Sequence, residues 1–212
     1  MTESEKIMVN GEKKRIKRIL FQSMEIIIHN IKENITHLDQ NFDHTKKFVE
    51  LVHEGILNKR RFFLLASGRS AFILECFATR LVHLGAEVHI VTNLGSMPAL
   101  RNKDILIVLS GSGTTKIVVS LLNNYVNTVK PHGIVTITSH PSSVIGRLGD
   151  ITIKLKGRSK RDKPNGDTAI LTPEGTMFEQ IAFCYLDAIV AEIAIKMGKT
   201  NDDLLKKHSQ AT

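Results

Sequence analysis

Ile105-Leu106-Ile107-Val108-Leu109-Ser110-Gly111-Ser112-Gly113-Thr114-Thr115 is the stretch whose reading settles the fold class. Five apolar residues stop abruptly at a run of hydroxyls and glycines. A helical pattern starts at once behind it, with Ile117, Val118, Leu121 and Leu122 on one face. A buried strand turning tightly into a helix is the repeating unit of a parallel α/β sheet. The glycines let the backbone turn and approach a ligand closely. Hydroxyl side chains and helix-start N–H groups then point into one small volume, which suits a phosphate. Taken alone, the stretch also reads as an ordinary strand-to-helix turn with a Ser/Thr cap.

Two glycine-loop motifs do not fit. A Walker loop requires Gly-Lys-Ser/Thr at its end, whereas the chain has Gly113-Thr114-Thr115-Lys116. A dinucleotide fingerprint requires a third glycine where Lys116 stands, and an acidic residue about 20 positions on, where Lys130 to Gly133 lie. A small phosphorylated molecule fits a hydroxyl-rich loop better than a nucleotide does.

Working outward, the same punctuation recurs. Arg61 to Ala66 reads as a strand, Ser67-Gly68-Arg69-Ser70 as its turn, and Ile73, Leu74, Phe77, Ala78, Leu81 and Leu84 as a helix ending at Gly85. Glu87–Val91, Asp104–Leu109, Ile134–Ile137 and Asp150–Leu155 complete five strands, with helices after the first, third and fourth. Short alternating connections imply a three-layer α/β/α arrangement with a parallel five-stranded sheet in the order 2-1-3-4-5. The switch point then lies between the first and third strands. Both Ser/Gly loops follow those two strands, so topology brings them to one crevice, and the ligand-site reading gains over the plain turn.

Ahead of the sheet, Ile16, Ile19, Leu20, Met24, Ile27, Ile28, Ile31 and Ile35 recur at helical spacing behind a polar first ten residues expected to fray. A second helix carries Phe42, Phe48, Val49, Val52 and Ile56, capped by Asp39 or Asn41. The pair precedes the first strand and is expected to pack outside the central sheet, either as a covering hairpin or, the favoured reading, as an oligomerisation surface. A DNA-reading helix pair is the weaker idea, since a compact three-helix pattern is missing. Behind the sheet, residues 156–173 form a basic loop broken by Pro164, Gly166 and Pro173, either a lid or a solvated excursion. From Glu174 to Met197 runs a helix apolar over a wide arc, with Glu179 in its first turns, where the helix dipole favours a carboxylate. Asp202 to Thr212 reads as a short polar tail helix containing His208.

With 212 residues and 42% hydrophobic content, the chain has the size and composition of one globular domain. Its boundaries are expected at 1–58 for the helical segment, 59–200 for the ligand-binding domain and 201–212 for the tail. The net charge of +8 is chiefly a solvated lysine surface, with steering of anionic ligands as the alternative. No Trp and two Tyr make a poor stacking platform for single strands, so no nucleic-acid partner is expected. Cys76 and Cys184 sit in apolar helical patterns and read as buried thiols of a reducing compartment. The charged first twenty residues resemble no signal peptide, and no apolar run reaches the span of a membrane helix, so the expected location is cytoplasmic, with no membrane partner.

Ser67-Gly68-Arg69-Ser70, Arg80 to Gly85, Ser110 to Thr115, Gly175-Thr176-Met177-Phe178-Glu179 and Lys206-Lys207-His208 occur in an order and spacing that resemble the sugar isomerase (SIS) domain. Within that family, the Gly-Thr-x-Phe-Glu segment and the tail histidine resemble the 6-phospho-3-hexuloisomerase group. The resemblance covers roughly residues 40–208. It departs from the usual pattern at Asn93 to Pro98, at Ser209-Gln210 and in the length of the basic loop. It implies a flavodoxin-like fold and a reversible isomerisation of 6-phospho-3-hexulose to fructose 6-phosphate through an enediol, without metal or organic cofactor. It also implies a homotetramer with active sites at subunit contacts. Ser67, Gly68, Arg69 and Ser70, with Ser110, Ser112, Gly113, Thr114 and Thr115, would hold the phosphate and sugar hydroxyls. Glu179 would be the base, and His208 would polarise the sugar oxygens. Other SIS isomerases, acting on arabinose 5-phosphate or a heptose phosphate, and a non-catalytic phosphosugar sensor are the alternatives.

Overall fold

Every residue of strand β3 (Ile105–Leu109) is buried, and the strand runs through the centre of a five-stranded, all-parallel sheet. The computed structural model describes residues 3–91, 97–159, 162 and 170–207, with side chains from Arg18 onward. The other strands are β1 (Arg61–Leu65), β2 (Glu87–Ile90), β4 (Gly133–Thr138) and β5 (Ile151–Lys154). Their order is β2-β1-β3-β4-β5, as the alternation of elements predicts. The pleat sends alternate side chains to opposite faces. Phe62, Leu64, Ile105, Ile107, Leu109, Val135 and Ile137 join one core, and Phe63, Leu65, Leu106, Val108 and Ile134 the other. Full burial of such a side chain contributes about 1.5–3 kcal/mol, so covering both faces is what makes the strands viable.

The first core is covered by α2 (Phe42–Leu57), α3 (Arg69–His83) and α6 (Thr176–Lys196), the second by α4 (Lys116–Thr128) and the short α5 (Val144–Arg147). Only α1 (Glu3–Gln40) packs outside, against α6 and α2; contrary to expectation α2 lies directly on the sheet, because Phe48, Val49, Val52 and Ile56 complete its core face. Helix α1 starts at Glu3 rather than after the first ten residues. That segment contains no proline to stop a helix. Asn41 occupies the cap position of α2, but its amide donates back to the His37 carbonyl (2.8 Å) instead of capping.

The expected helix ends are present. Gly85 (φ 96°) and Gly198 (φ 65°) close α3 and α6 in the left-handed conformation. In each case the following amide bonds the carbonyl five residues back, Ala86 to Leu81 and Lys199 to Ala194. Of the tail, α7 (Asn201–Leu205) is described, opened by a reciprocal Thr200–Asp203 capping box, whereas His208 lies outside the described residues. So do Asn93 to Ser96 and most of the stretch between 160 and 169.

The cysteines correct the expectation drawn from their neighbours. Cys76 and Cys184 are both exposed. Each falls off its helix's buried stripe, which runs through Leu74, Phe77, Ala78 and Leu81 in α3, and through Ile181, Ala182, Tyr185 and Leu186 in α6. A wide apolar composition hides which face turns outward. Among the described residues, no helix is long and apolar enough to cross a membrane.

Candidate functional site

At the C-terminal edge of the sheet the ladder carries Ser110 one bond beyond β3, its amide donating to Ile137 O (3.0 Å). The chain then turns, with Gly113 N–H on Ser110 O (3.1 Å). Gly113 has φ 63°, and a Cβ there would lie 1.8 Å from Ser143 Oγ, so both conformation and space demand glycine. A Cβ on Gly111 would meet the Phe178 ring at 2.8 Å, which presses this loop against the start of α6. The Gly111 carbonyl accepts from Ser139 N–H and Thr138 Oγ–H (both 3.2 Å), and the Gly113 carbonyl from Ile145 N–H (3.1 Å). Both carbonyls are thereby tied to the β4–α5 side.

No side chain caps α4. Thr115 stands at its N-cap, and its Oγ1 lies 3.2 Å from Ser110 Oγ instead of accepting a helix N–H. The same holds at α3, where Gly68 (φ 62°) is the N-cap and supplies no acceptor. Two helix starts without side-chain caps thus open beside the switch point of the sheet. Their N–H groups and dipoles favour an anion there.

A cleft of about 290 Å³ lies between the two loops and the start of α6. Ser67, Gly68, Arg69, Ser70, Ser110, Ser112, Thr115 and Glu179 line it together. Gly113 and Thr114 belong to the loop but not to the cleft wall; Gly113 is turned under against Ser143, and Thr114 is exposed.

Glu179 enters through Gly175, the left-handed N-cap of α6 (φ 88°), whose missing Cβ leaves room for Glu179 Oε1 at 3.0 Å. Its side chain is 13% exposed, and Oε2 lies 2.7 Å from Arg69 Nε. The contact is short but the Nε–H is not aimed along it, so buried Oε2 has a charged neighbour and no hydrogen bond. Arg69 is 66% exposed and belongs to water as much as to the carboxylate. Glu179 thus brings into the cleft wall a carboxylate with unused hydrogen-bonding capacity, the type of group that serves as a general base.

Sequence reasoning missed several residues around this cleft. Ser159 and Glu174 also line it. Asn34, fully buried on α1, pairs its side-chain amide with the backbone of Lys156, accepting from its N–H and donating to its carbonyl, both at 2.7 Å. Asn30, also buried, donates to Met177 O (3.3 Å), two residues before Glu179. The one available signal was a pair of asparagines four apart on an otherwise apolar helix face, which names no partner.

Comparison with known proteins agrees with the motifs. Residues 55–179 match the family model of the SIS domain. A Bacillus subtilis 3-hexulose-6-phosphate isomerase is 34% identical over 157 residues, 74% of this chain and 82% of that protein. An Archaeoglobus fulgidus protein is 31% identical over 192 residues, covering 90% of this chain and 98% of its own. The crystal structure of a Methanococcus jannaschii protein, from which a 3-hexulose-6-phosphate isomerase function is inferred, superimposes with a TM-score of 0.73 at 28% identity, over 90% of this chain and 99% of that one.

Proposed function

The chain belongs to the SIS domain family, and we propose that it is a phosphosugar isomerase interconverting 6-phospho-3-hexulose and fructose 6-phosphate. The observation that carries this reading is Glu179 Oε2, buried and without a hydrogen bond, in a cleft walled by two serine-rich loops. The loops Ser67–Ser70 and Ser110–Thr115 take the phosphate on their helix-start amides and hydroxyls. That anchor places the ketose so that its binding energy orients the reacting carbons. Glu179 removes the proton from the carbon beside the carbonyl, giving an enediol, and returns it to the neighbouring carbon. The carbonyl passes from carbon 3 to carbon 2, and one hydroxyl proton moves the opposite way. Arg69 stands beside the base, where a cation stabilises the developing enediolate oxygen.

Assembly is part of the proposal. Leu20, Met24 and Ile28 of α1 are exposed, as are Phe72 of α3 and Phe183 of α6, beside the cleft. A homotetramer covers such faces, with residues 1–58 as the assembly segment, 59–200 as the phosphosugar domain and 201–212 as a tail. Lys207 lines a groove with Glu75, Thr79 and His83, further along α3 than its cleft end. His208, which lies outside the described residues, is proposed to polarise the sugar oxygens.

The test is NMR of the purified chain with fructose 6-phosphate in deuterated water. Deuterium at carbon 3, or a new 3-ketose signal, is expected. No exchange with fructose 6-phosphate, together with turnover of arabinose 5-phosphate or sedoheptulose 7-phosphate, would move the substrate elsewhere in the family. Light scattering is expected to give a tetramer, and a monomer at micromolar concentration would refute the shared sites.

A further inference from the structure

The basic stretch after β5 reads from sequence as a lid or a solvated excursion, yet its first residues are fastened down. Lys156 is held by Asn34, and the Gly157 carbonyl accepts from Ser139 Oγ–H (2.8 Å). A Cβ on Gly157 would come within 2.6 Å of Phe178 N, so the strand exit is wedged against the start of α6. Ser159 follows, only 3% exposed, and lines the phosphosugar cleft.

A three-residue cluster holds Ser159. Asp162 Oδ2 accepts from Ser159 N–H (2.7 Å) and from Ser159 Oγ–H (3.0 Å). His140, two residues beyond β4, brings Nε2 to 3.0 Å from Ser159 Oγ and 3.3 Å from Asp162 Oδ2. With the Ser159 hydroxyl donating to Asp162, a protonated Nε2 of the imidazole donates to Ser159 Oγ. Burial acts to raise the proton affinity of Asp162. The bonds from Ser159 and the nearby His140 outweigh it and hold the carboxyl below the usual range. Serine, histidine and aspartate together invite a hydrolase reading, and the geometry excludes it. Serine and aspartate approach the same ring nitrogen, whereas a relay needs one on each.

We propose that His140 is a positioning residue: with Asp162 it clamps Ser159 into the cleft wall, and through Ser159 it sets affinity for the sugar. The inference rests on the phosphosugar reading of the cleft. It makes the described base of the basic stretch a fixed wall.

The experiment is a double-mutant cycle on the full chain, with fructose 6-phosphate and arabinose 5-phosphate as probes, reading Kd by calorimetry and KM and kcat by NMR. H140A is expected to raise Kd and KM about tenfold with kcat within about twofold, the loss of one oriented hydrogen-bonded wall. S159A is expected to do the same, and H140A/S159A to be no worse than either single change, because one acts through the other. H140Q, which restores an N–H donor, is expected to recover most of the affinity. Additive losses, or a fall in Tm and kcat with unchanged KM, would overturn the clamp. A wild-type chain that binds either sugar without converting it sinks the isomerase reading and leaves the Kd cycle as a full test. If neither sugar binds, both fall.

Discussion

Two arginine–carboxylate pairs sit at opposite ends of the same sheet, and they are built to different standards. At the N-terminal edge, Asp104 (side chain 2% exposed) accepts from Arg61 Nε (3.1 Å), an Arg61 terminal nitrogen (2.6 Å) and the Arg101 amide (2.7 Å). Arg61 itself lies over the Phe63 ring at 5.2 Å and is 15% exposed. Both carboxylate oxygens accept hydrogen bonds, and the charges are locked in a fork. At the C-terminal edge, Glu179 is nearly as buried, but Oε2 has an off-axis arginine and no hydrogen bond. A saturated buried pair holds a structure together. An unsaturated one keeps a group available, and that difference separates framework from candidate chemistry.

The comparison is most exposed at Glu179. Changing Glu179→Gln keeps the shape and removes the base, so kcat is expected to fall by about 10³-fold or more, with phosphosugar binding and Tm little altered. Full activity in that variant would end the assignment. At the other edge the pattern inverts. Asp104→Ala leaves Arg61 uncompensated and is expected to cost about 3 kcal/mol in urea unfolding, with kcat/KM unchanged under folding conditions. If Asp104→Ala lost activity without stability, the division between the two edges would fail.

Smaller effects sharpen the picture. Ser112 lines the cleft, and its Oγ accepts the Thr114 amide at 3.3 Å. Ser112→Ala is expected to weaken fructose 6-phosphate about tenfold, a hydrogen bond to a charged group, as read by calorimetry. Unchanged affinity would remove Ser112 from the phosphate site. On stability, Asp162 gives the smallest change, read on acidification. Its carboxyl is held below the usual range, so it adds stability above the unfolded-state value, about 3.9. That contribution is lost as pH falls through the lower folded-state value. Asp162→Asn is therefore expected to flatten the loss of stability on acidification, and curves of equal slope would refute it.

Much of the frame was legible because its signals are local. Ile105 to Leu109 is apolar throughout, as a strand buried on both faces must be, and Gly85 and Gly198 end helices where a left-handed residue is needed. The cleft was legible through topology, since the loops after β1 and β3 must meet at the switch point. Cys76 and Cys184 misled because apolar neighbours fix a helix's composition and not its rotation.

The sequence by itself determined the strand order and the two Ser/Gly loops, because hydrophobic period and glycine conformation act within a few residues, whereas Glu179 was singled out as a base only by the family resemblance. Only the tertiary structure decided which polar groups face each other. Arg61 finds Asp104 across 43 positions, Asn34 finds Lys156 across 122, and His140 finds Asp162 across 22. No local period encodes such pairs. They exist because packing the apolar faces leaves those groups buried together, and a buried polar group must find a partner or stand ready for a ligand.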